Sequence, residues 1–184
     1  KTENLHRIEL DEQQRKLYLA AVVDAREKLR AAKPEDKMAV FAVLMRLREI
    51  CCDPHLIADN WEGGSAKLDA CTELVTSAVE GGHRILLFSQ FTSMLELLAK
   101  RLDEAGVSHF TLQGSTPKPV RAELVRRFNS GEADVFLISL RAGGTGLNLT
   151  AADIVIHYDP WWNVAAQNQA TDRAYRIGQR NPVQ

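Results

Sequence analysis

Apolar and small residues recur at helical spacing in the first part of the chain. From Leu17 to Leu29 they fall at every fourth position, opposite a charged face, which predicts a helix over about 11–31 that ends before Pro34. A second helical pattern runs from about residue 36 to residue 51, and Asp53-Pro54 closes it. These two helices form the first section of the chain.

A linker-like composition separates this section from the rest. The stretch DNWEGGSA at 59–66 is rich in Gly, Ser and Asn, so we place a domain boundary near residue 62. Residues 1–62 are therefore expected to form a helical connecting segment, and residues 63–184 a separate domain.

Beyond the linker, short apolar runs alternate with helical patterns. The predicted strands are RILLF (84–88), HFTL (109–112), DVFLI (134–138) and DIVIH (153–157). The predicted helices cover 66–80, 91–105, 117–129 and 164–177. Continuous apolar strands separated by helices indicate an α/β domain, with a parallel sheet covered by helices on both faces. In such sheets ligands gather at the carboxyl ends of the strands.

Composition and charge narrow the class of protein. The 184 residues are 45% hydrophobic, enough for a substantial core. Lys and Arg number 23 and Asp and Glu 24. Any contact with nucleic acid must therefore come from a local arrangement of charge, which argues against a histone-like or basic-tail binder but not against a groove.

Cysteine usage and hydropathy indicate an intracellular protein. Cys51, Cys52 and Cys71 form no CxxC pair, and His55 lacks companions for a metal site. No apolar run approaches the ~18 residues of a membrane span, and no signal-peptide pattern is present. Because the chain opens at Lys1 rather than at Met, we expect a piece of a longer polypeptide.

Polar or flexible residues follow the first two predicted strands. Gln90 could hydrogen-bond a phosphate or a base edge through its amide. Gly114 permits close backbone approach, and Ser115 either caps the next helix or helps to present free N–H groups to an anion such as a DNA phosphate.

Three glycines follow the third strand, within SLRAGGTGLNLTAAD (139–153). Gly143, Gly144 and Gly146 fit neither a Walker loop nor a dinucleotide fingerprint. The stretch is either a tight turn or a backbone nest for phosphate. The side-chain donors nearby are Ser139, Arg141 and Thr145.

Aromatic residues follow the fourth strand. Trp161 and Trp162 are either aromatics at the edge of the core or a surface that stacks on a base or on a partner lobe.

The last predicted helix carries a concentrated polar face. Gln169, Asp172, Arg173 and Arg176 fall on one side of it, and small or apolar residues on the other. This pattern is typical of a solvated surface helix with an ordinary ion pair. Yet Arg173 and Arg176, three positions apart, repel each other modestly, so the face is not optimised for helix stability. Two guanidinium groups at the mouth of a parallel sheet suit a polyphosphate, because the planar guanidinium binds phosphate oxygens in bidentate fashion.

Four stretches, in this order and spacing, closely resemble the later helicase motifs of the Swi/Snf-type ATP-dependent DNA translocases, a branch of helicase superfamily two. They are LLFSQF, LQGST, SLRAGGTGLNLTAAD and QATDRAYRIGQ. LREICCDPHLI (47–57) resembles the segment that precedes the second lobe in this family, so the resemblance extends from about Leu10 onward.

The resemblance implies a RecA-like second lobe of the P-loop NTPase type, preceded by a helical extension. In such enzymes ATP lies between two lobes, and the first lobe carries the Walker loop and the acidic Mg²⁺ motif, neither of which occurs in this sequence. By the resemblance, Arg176 is the arginine finger, Arg173 is its companion, and Gln169 helps to position the hydrolytic cleft.

The resemblance also assigns ligand-contacting residues. Those assigned to the nucleotide are Gly144, Gly146 and Asn148. Those assigned to the backbone of the tracked DNA strand are Gln90, Gly114, Ser115, Ser139 and Thr145. Tyr175 stands where many members have His, and Asp53 where His is frequent; these departures bear on the subfamily and remove no expected phosphate ligand.

The expected function is that of the C-terminal half of an ATP-dependent double-stranded DNA translocase. Its partners would be duplex DNA and the N-terminal lobe of the same chain, in a bacterial cytoplasm or a eukaryotic nucleus, and the fragment alone would be monomeric and inactive. Two alternatives stay open. One is a non-catalytic protein-binding module with Trp161 and Trp162 as its interface, and the other is an RNA helicase lobe.

Overall fold

We describe the protein from a computed structural model. The structure describes residues 3–31, 33, 36–143, 147–160 and 164–172. The helices in these ranges are α1 (Glu12–Ala31), α2 (Lys37–Cys52), α3 (Ala66–Glu80), α4 (Thr92–Glu104), α5 (Lys118–Asn129), α6 (Leu140–Gly143) and α7 (Val164–Thr171), with a short 3₁₀ helix at Pro54–Leu56. The strands are β1 (Ile85–Ser89), β2 (His109–Leu112), β3 (Val135–Ser139) and β4 (Ile154–His157).

The predicted helices and strands are present, with ends that differ by one residue in most cases. The residues directly after β3 differ from the expectation, because they form the short helix α6 before the glycine-rich stretch continues. Ser139 explains the helix start, since its Oγ accepts a hydrogen bond from Ala142 N at 3.3 Å. The predicted last helix is present to Thr171, and residues 173–177 lie outside the described ranges.

The sheet is parallel, with strand order β2-β3-β1-β4. The central strands β1 and β3 are buried at every position, whereas β2 and β4 are the outer strands of the sheet within the described residues and are mostly half-buried. This difference explains why the β1 and β3 runs are apolar throughout. The chain moves from β1 outward to β2 and then back to β3, so right-handed crossovers place α4 and α5 on opposite faces. The predicted parallel α/β fold is confirmed.

An aromatic cluster fills one side of the sheet. The rings of Phe128 and Phe136 have centroids 5.2 Å apart, and Phe110 meets Phe136 edge-on at 6.1 Å. Phe128 and Phe136 are fully buried, and pairs of this geometry contribute about 0.5–1.5 kcal/mol beyond the burial of their area. Ala170 of α7 packs into the same cluster, which fixes the buried side of that helix.

The chain divides into two compact units, one of residues 7–70 and the other of residues 71–184 together with the first six residues. The division falls inside α3, and the domain boundary expected near residue 62 stays a prediction.

A buried amide organises the unit of residues 7–70. Gln14 has no exposed surface, and its Nε2 donates to Ile50 O at 2.8 Å near the end of α2. Its Oε1 accepts from Ala66 N at 3.4 Å, at the start of α3. Because the donor and the acceptor of the amide are both used, its burial is compensated.

None of the helices in the described ranges combines the length and the hydropathy that crossing a bilayer would require.

Candidate functional site

The carboxyl ends of three strands bring four of the predicted contact residues to one edge of the sheet. Ser89 of β1 pairs in register with Ser139 of β3, and Leu112 of β2 pairs with Ile138. Gln90 follows Ser89 directly, and Gly114 and Ser115 follow Leu112 closely. These positions therefore lie together at the carboxyl ends of the strands, where parallel sheets bind their ligands.

A buried carboxylate defines the end of β1. Asp159, which follows β4, is 2% exposed, and its Oδ1 accepts a hydrogen bond from Ser89 Oγ at 2.6 Å. Gln90 N lies 3.1 and 3.3 Å from the two carboxylate oxygens. The Ser89 hydroxyl also accepts from Phe91 N at 3.2 Å. Ser89 at the end of β1 and the two residues that follow it are thus held, directly or through the Ser89 hydroxyl, by one side chain from the segment after β4.

The end of β2 is a tight turn with its middle exposed. Gln113 N donates to Thr116 Oγ1 at 3.0 Å, and Thr116 N donates to Gln113 O at 3.1 Å. Gly114 and Ser115 are exposed between them, and a Cβ built on Gly114 would meet no atom within 4 Å. Nothing in the described part of this chain therefore requires glycine at that position, and the turn leaves room for another molecule to approach its backbone.

Arg121 connects the turn after β2 to the helix after β3. Its guanidinium donates to Thr116 O at 3.5 Å and to Ala142 O at 3.3 Å. Both bonds are long, but together they bring a positive charge between two of the strand ends. The sequence did not single out this residue, because contacts to backbone carbonyls such as those of Thr116 and Ala142 leave no signature in it.

Ser139, at the end of β3, is 2% exposed. Its hydroxyl oxygen accepts the hydrogen bond from Ala142 N in the first turn of α6. The other residues predicted around the glycine-rich stretch, Gly144, Thr145 and Gly146, lie outside the described residues.

The helix after β4 presents two distinct sides as far as it is described. Ala170 is 4% exposed and faces the core, whereas Gln169 and Asp172 are exposed. His157 Nε2 lies 2.9 Å from Thr171 Oγ1, and that hydroxyl oxygen also lies 3.2 Å from Gln167 O. This contact ties the end of α7 to the end of β4. Arg173, Arg176, Trp161 and Trp162 lie outside the described residues.

Asn148 is not grouped with these positions. It is exposed, and its backbone oxygen accepts a hydrogen bond at 2.8 Å from Nδ2 of Asn129, the last residue of α5. Since α5 leads into the amino end of β3, this contact ties Asn148 to the side opposite the strand ends that carry Gln90. Its assignment to the nucleotide stays a prediction.

Two basic residues in the last turn of α5 are already paired. Arg126 binds Glu123 at 2.6 and 2.9 Å, and Arg127 binds Glu132 at 2.7 Å. The Arg126 guanidinium, through its hydrogen bond, lowers the pKa of Glu123, and Arg127 does the same for the pKa of Glu132. These carboxylates keep their charge at neutral pH and offset the positive charge at this end of the helix.

The sequence matches a known family over most of the sheet-containing region. Residues 66–178 match the family described as the helicase conserved C-terminal domain, and the chain belongs to that family. The resemblance to the Swi/Snf-type C-terminal lobe, expected from the motifs, is confirmed by the relatives and by a solved structure.

The chain is similar to an uncharacterized ATP-dependent helicase of Mycoplasma pneumoniae, with 36% identity over 96% of this chain and 17% of that protein. It is 36% identical to the human SWI/SNF-related matrix-associated actin-dependent regulator of chromatin subfamily A member 1, over 95% of this chain and 18% of that protein. The chain thus spans less than a fifth of the length of these two relatives.

Among solved structures, the chain is similar to the Sulfolobus solfataricus SWI2/SNF2 ATPase core in complex with dsDNA. The TM-score is 0.82 with 28% identity, and the match covers 96% of this chain and 38% of that chain. The RecA-like parallel fold is therefore shown.

Proposed function

We propose that this chain is the C-terminal lobe of an ATP-dependent double-stranded DNA translocase and works only together with an N-terminal RecA-like lobe of the same protein. The observation that carries the proposal is the alignment of Gln90, Gly114, Ser115 and Ser139 at one edge of a Swi/Snf-type lobe. The solved structure with dsDNA, 28% identical, supports the choice of duplex DNA.

In this proposal the carboxyl ends of β1, β2 and β3 contact the backbone of the tracked DNA strand. The exposed turn at Gly114 and Ser115 offers hydrogen-bond donors without selecting a base, and Gln90 is assigned to the same surface from the sequence. Thr145 is assigned to the same surface from the sequence. Contacts of this kind predict binding that is independent of sequence and weakens steeply as salt rises.

ATP would lie between this lobe and the first one, with Mg²⁺ held by the first lobe. The residues assigned to the nucleotide side are Gln169, Arg173, Arg176, Gly144, Gly146 and Asn148. Of these, Gln169 is described and exposed, so its side chain is accessible to a ligand. Asn148 is exposed as well, but its contact with Asn129 ties it to the side away from the strand ends, so its assignment rests on the sequence alone. Bound ATP and Mg²⁺ supply the phosphoryl group and its counter-charge. Arg173 and Arg176 would place guanidinium groups on the phosphate oxygens.

The finger assignment is tested in the full-length protein with Arg176→Ala. Removing an arginine finger costs about 10³–10⁵ in rate, so we expect DNA-stimulated ATPase activity to disappear while duplex binding stays nearly intact. Arg126→Ala is a matched control, because Arg126 is exposed and paired with Glu123 on α5. Turnover of Arg176→Ala at the wild-type rate would remove the assignment.

The nucleic-acid class is tested by measuring ATPase stimulation by duplex DNA and by duplex RNA at the same salt concentration. Stimulation by DNA over RNA is expected. Stimulation by RNA alone would favour the RNA helicase lobe, and no stimulation by either would favour the protein-binding module.

A further inference from the structure

The outer edge of β4 has no strand beside it within the described residues. β4 is built of Ile154, Val155, Ile156 and His157, and all four residues are half-buried. Exposed edge strands are usually protected from pairing with other chains by charged residues, proline or a bulge. β4 contains none of these, and its register with β1 is continuous. Its composition is therefore that of a strand with a neighbour on each side.

The packing of α7 shows which face of the sheet the chain covers after β4. Ala170 of α7 belongs to the same hydrophobic cluster as Phe128 of α5. The cluster members of β1 and β3 include Leu86 and Phe136, which pair in register and lie on one face of the sheet. α7 and α5 therefore cover the same face.

The hand of the crossovers then determines where a strand after α7 would lie. β2, α5 and β3 form a parallel crossover that runs toward β4 in the strand order, with α5 on this face. Such crossovers are right-handed in about 98% of cases. A crossover that leaves β4 through α7 on the same face must therefore run in the same direction. Because β1 already occupies the inner side of β4, the next parallel strand would lie on the outer side.

We propose that the part of the full-length protein that follows Gln184 adds a parallel strand to the outer edge of β4. The chain spans less than a fifth of the two relatives named above, so their length leaves ample sequence for such a strand. The carboxyl end of the added strand would lie beside Asp159, which follows β4, and would extend the row of strand ends at which parallel sheets bind ligands. The inference does not rest on the proposed function, because the hand of the crossover is the same whatever the lobe binds.

Backbone hydrogen bonds identify an amide that would report the added strand. Ile154 N donates to Arg84 O at 3.1 Å, so this N–H points toward β1. The direction of the N–H groups alternates along a strand, and β4 pairs with β1 in continuous register. The Ile156 N–H therefore also points toward β1, whereas the Val155 N–H points toward the outer edge of the sheet.

The test is hydrogen exchange of the Val155 and Ile156 amides in the full-length protein and in the same protein truncated after Gln184. In the full-length protein we expect both amides to exchange at least about 100-fold more slowly than an unstructured amide. After truncation, the Val155 amide should exchange within about tenfold of the unstructured rate. The Ile156 amide should stay protected, and it is the matched control because it reports whether β4 remains folded against β1.

Fast exchange at Val155 in the full-length protein would overturn the proposal. Protection of Val155 that survives the truncation would also overturn it, because another part of the protein would then cover this edge. Protection that rises with protein concentration would assign the edge to a second copy of the protein instead.

A second measurement applies if Ile156 also loses its protection on truncation. A protease site is then inserted after Gln184, and the full-length protein is cleaved once it has folded. Separating the released piece should expose the Val155 amide before the Ile156 amide, and a Val155 amide that stays protected would overturn the proposal. None of these measurements depends on ATPase activity, so the added strand and the translocase assignment can fail independently.

Discussion

Gly114 offers a direct test of whether the strand-end turn approaches another molecule. The change is Gly114→Ala, which adds one methyl group at the exposed middle of the turn after β2. A Cβ there meets no atom within 4 Å, and the backbone is not in the left-handed region. The described fold therefore gives no reason for this change to destabilise the protein.

The expected magnitudes follow from that geometry. Where the native backbone suits alanine, replacing glycine stabilises a protein by about 0.4–1 kcal/mol, because the unfolded chain loses freedom. If DNA approaches the Gly114 backbone closely, the methyl group should instead weaken duplex binding by about tenfold, or ~1.4 kcal/mol. Stability and binding should thus move in opposite directions.

Gly106→Ala is the matched control. A Cβ on Gly106 also meets no atom within 4 Å, but its φ is +69°, which L side chains rarely adopt. We expect Gly106→Ala to lose about 1 kcal/mol of stability and to keep its DNA affinity. In both variants the added carbon meets no described atom within 4 Å, but only Gly106 has a backbone φ that disfavours alanine.

The assays are urea denaturation of the 184-residue chain and duplex binding of the full-length protein at fixed salt. Wild-type DNA affinity in Gly114→Ala would refute the close approach at this turn. A loss of stability as large as that of Gly106→Ala would refute the structural argument.

Two further predictions concern residues 7–70. Gln14→Leu should lower the free energy of unfolding by about 2–4 kcal/mol, because the Ile50 carbonyl and the Ala66 N–H lose their partner. The control Gln13→Leu, at an exposed position, should change the free energy of unfolding by less than about 0.5 kcal/mol. Equal urea midpoints for the two variants would contradict the role of the buried amide. Burial raises the pKa of the Cys51 thiol in the folded protein, and the nearby Lys67 lowers it by less. The contribution of this thiol to the free energy of unfolding is therefore fully present below the pKa of an unfolded thiol, about 8.5, and is lost as the pH rises through the pKa of the folded protein. Cys51→Ser should therefore flatten the alkaline end of the stability profile, and an unchanged profile would contradict this.

The sequence pattern predicted the elements whose signal is local. β1 and β3 are continuous apolar runs because both faces and both edges of these strands are covered, and that burial leaves a mark in the sequence itself. The start of α6 was missed because the three following glycines argued for a loop, while the Ser139 hydroxyl that begins the helix is a single polar atom.

The long-range polar contacts could not be predicted in the same way. Asp159 next to Pro160 has the sequence signature of an ordinary turn, and the partners that give it another role lie about 70 residues away. Gln14 has no local feature that distinguishes it from Gln13, yet its amide closes a contact with a residue 36 positions later. The motif resemblance singled out Gln90, Gly114, Ser115 and Ser139, which the structure has at the carboxyl ends of the strands, but not the residues that hold these strand ends in place.

The strand order has a consequence for biosynthesis. β1 lies between β3 and β4, and β4 is the last of the described strands to leave the ribosome. Until Ile154–His157 has been made, β1 presents a bare, fully apolar edge, which is a template for pairing with other chains. Truncations that end before β4 should therefore be recovered as inclusion bodies or in complexes with chaperones.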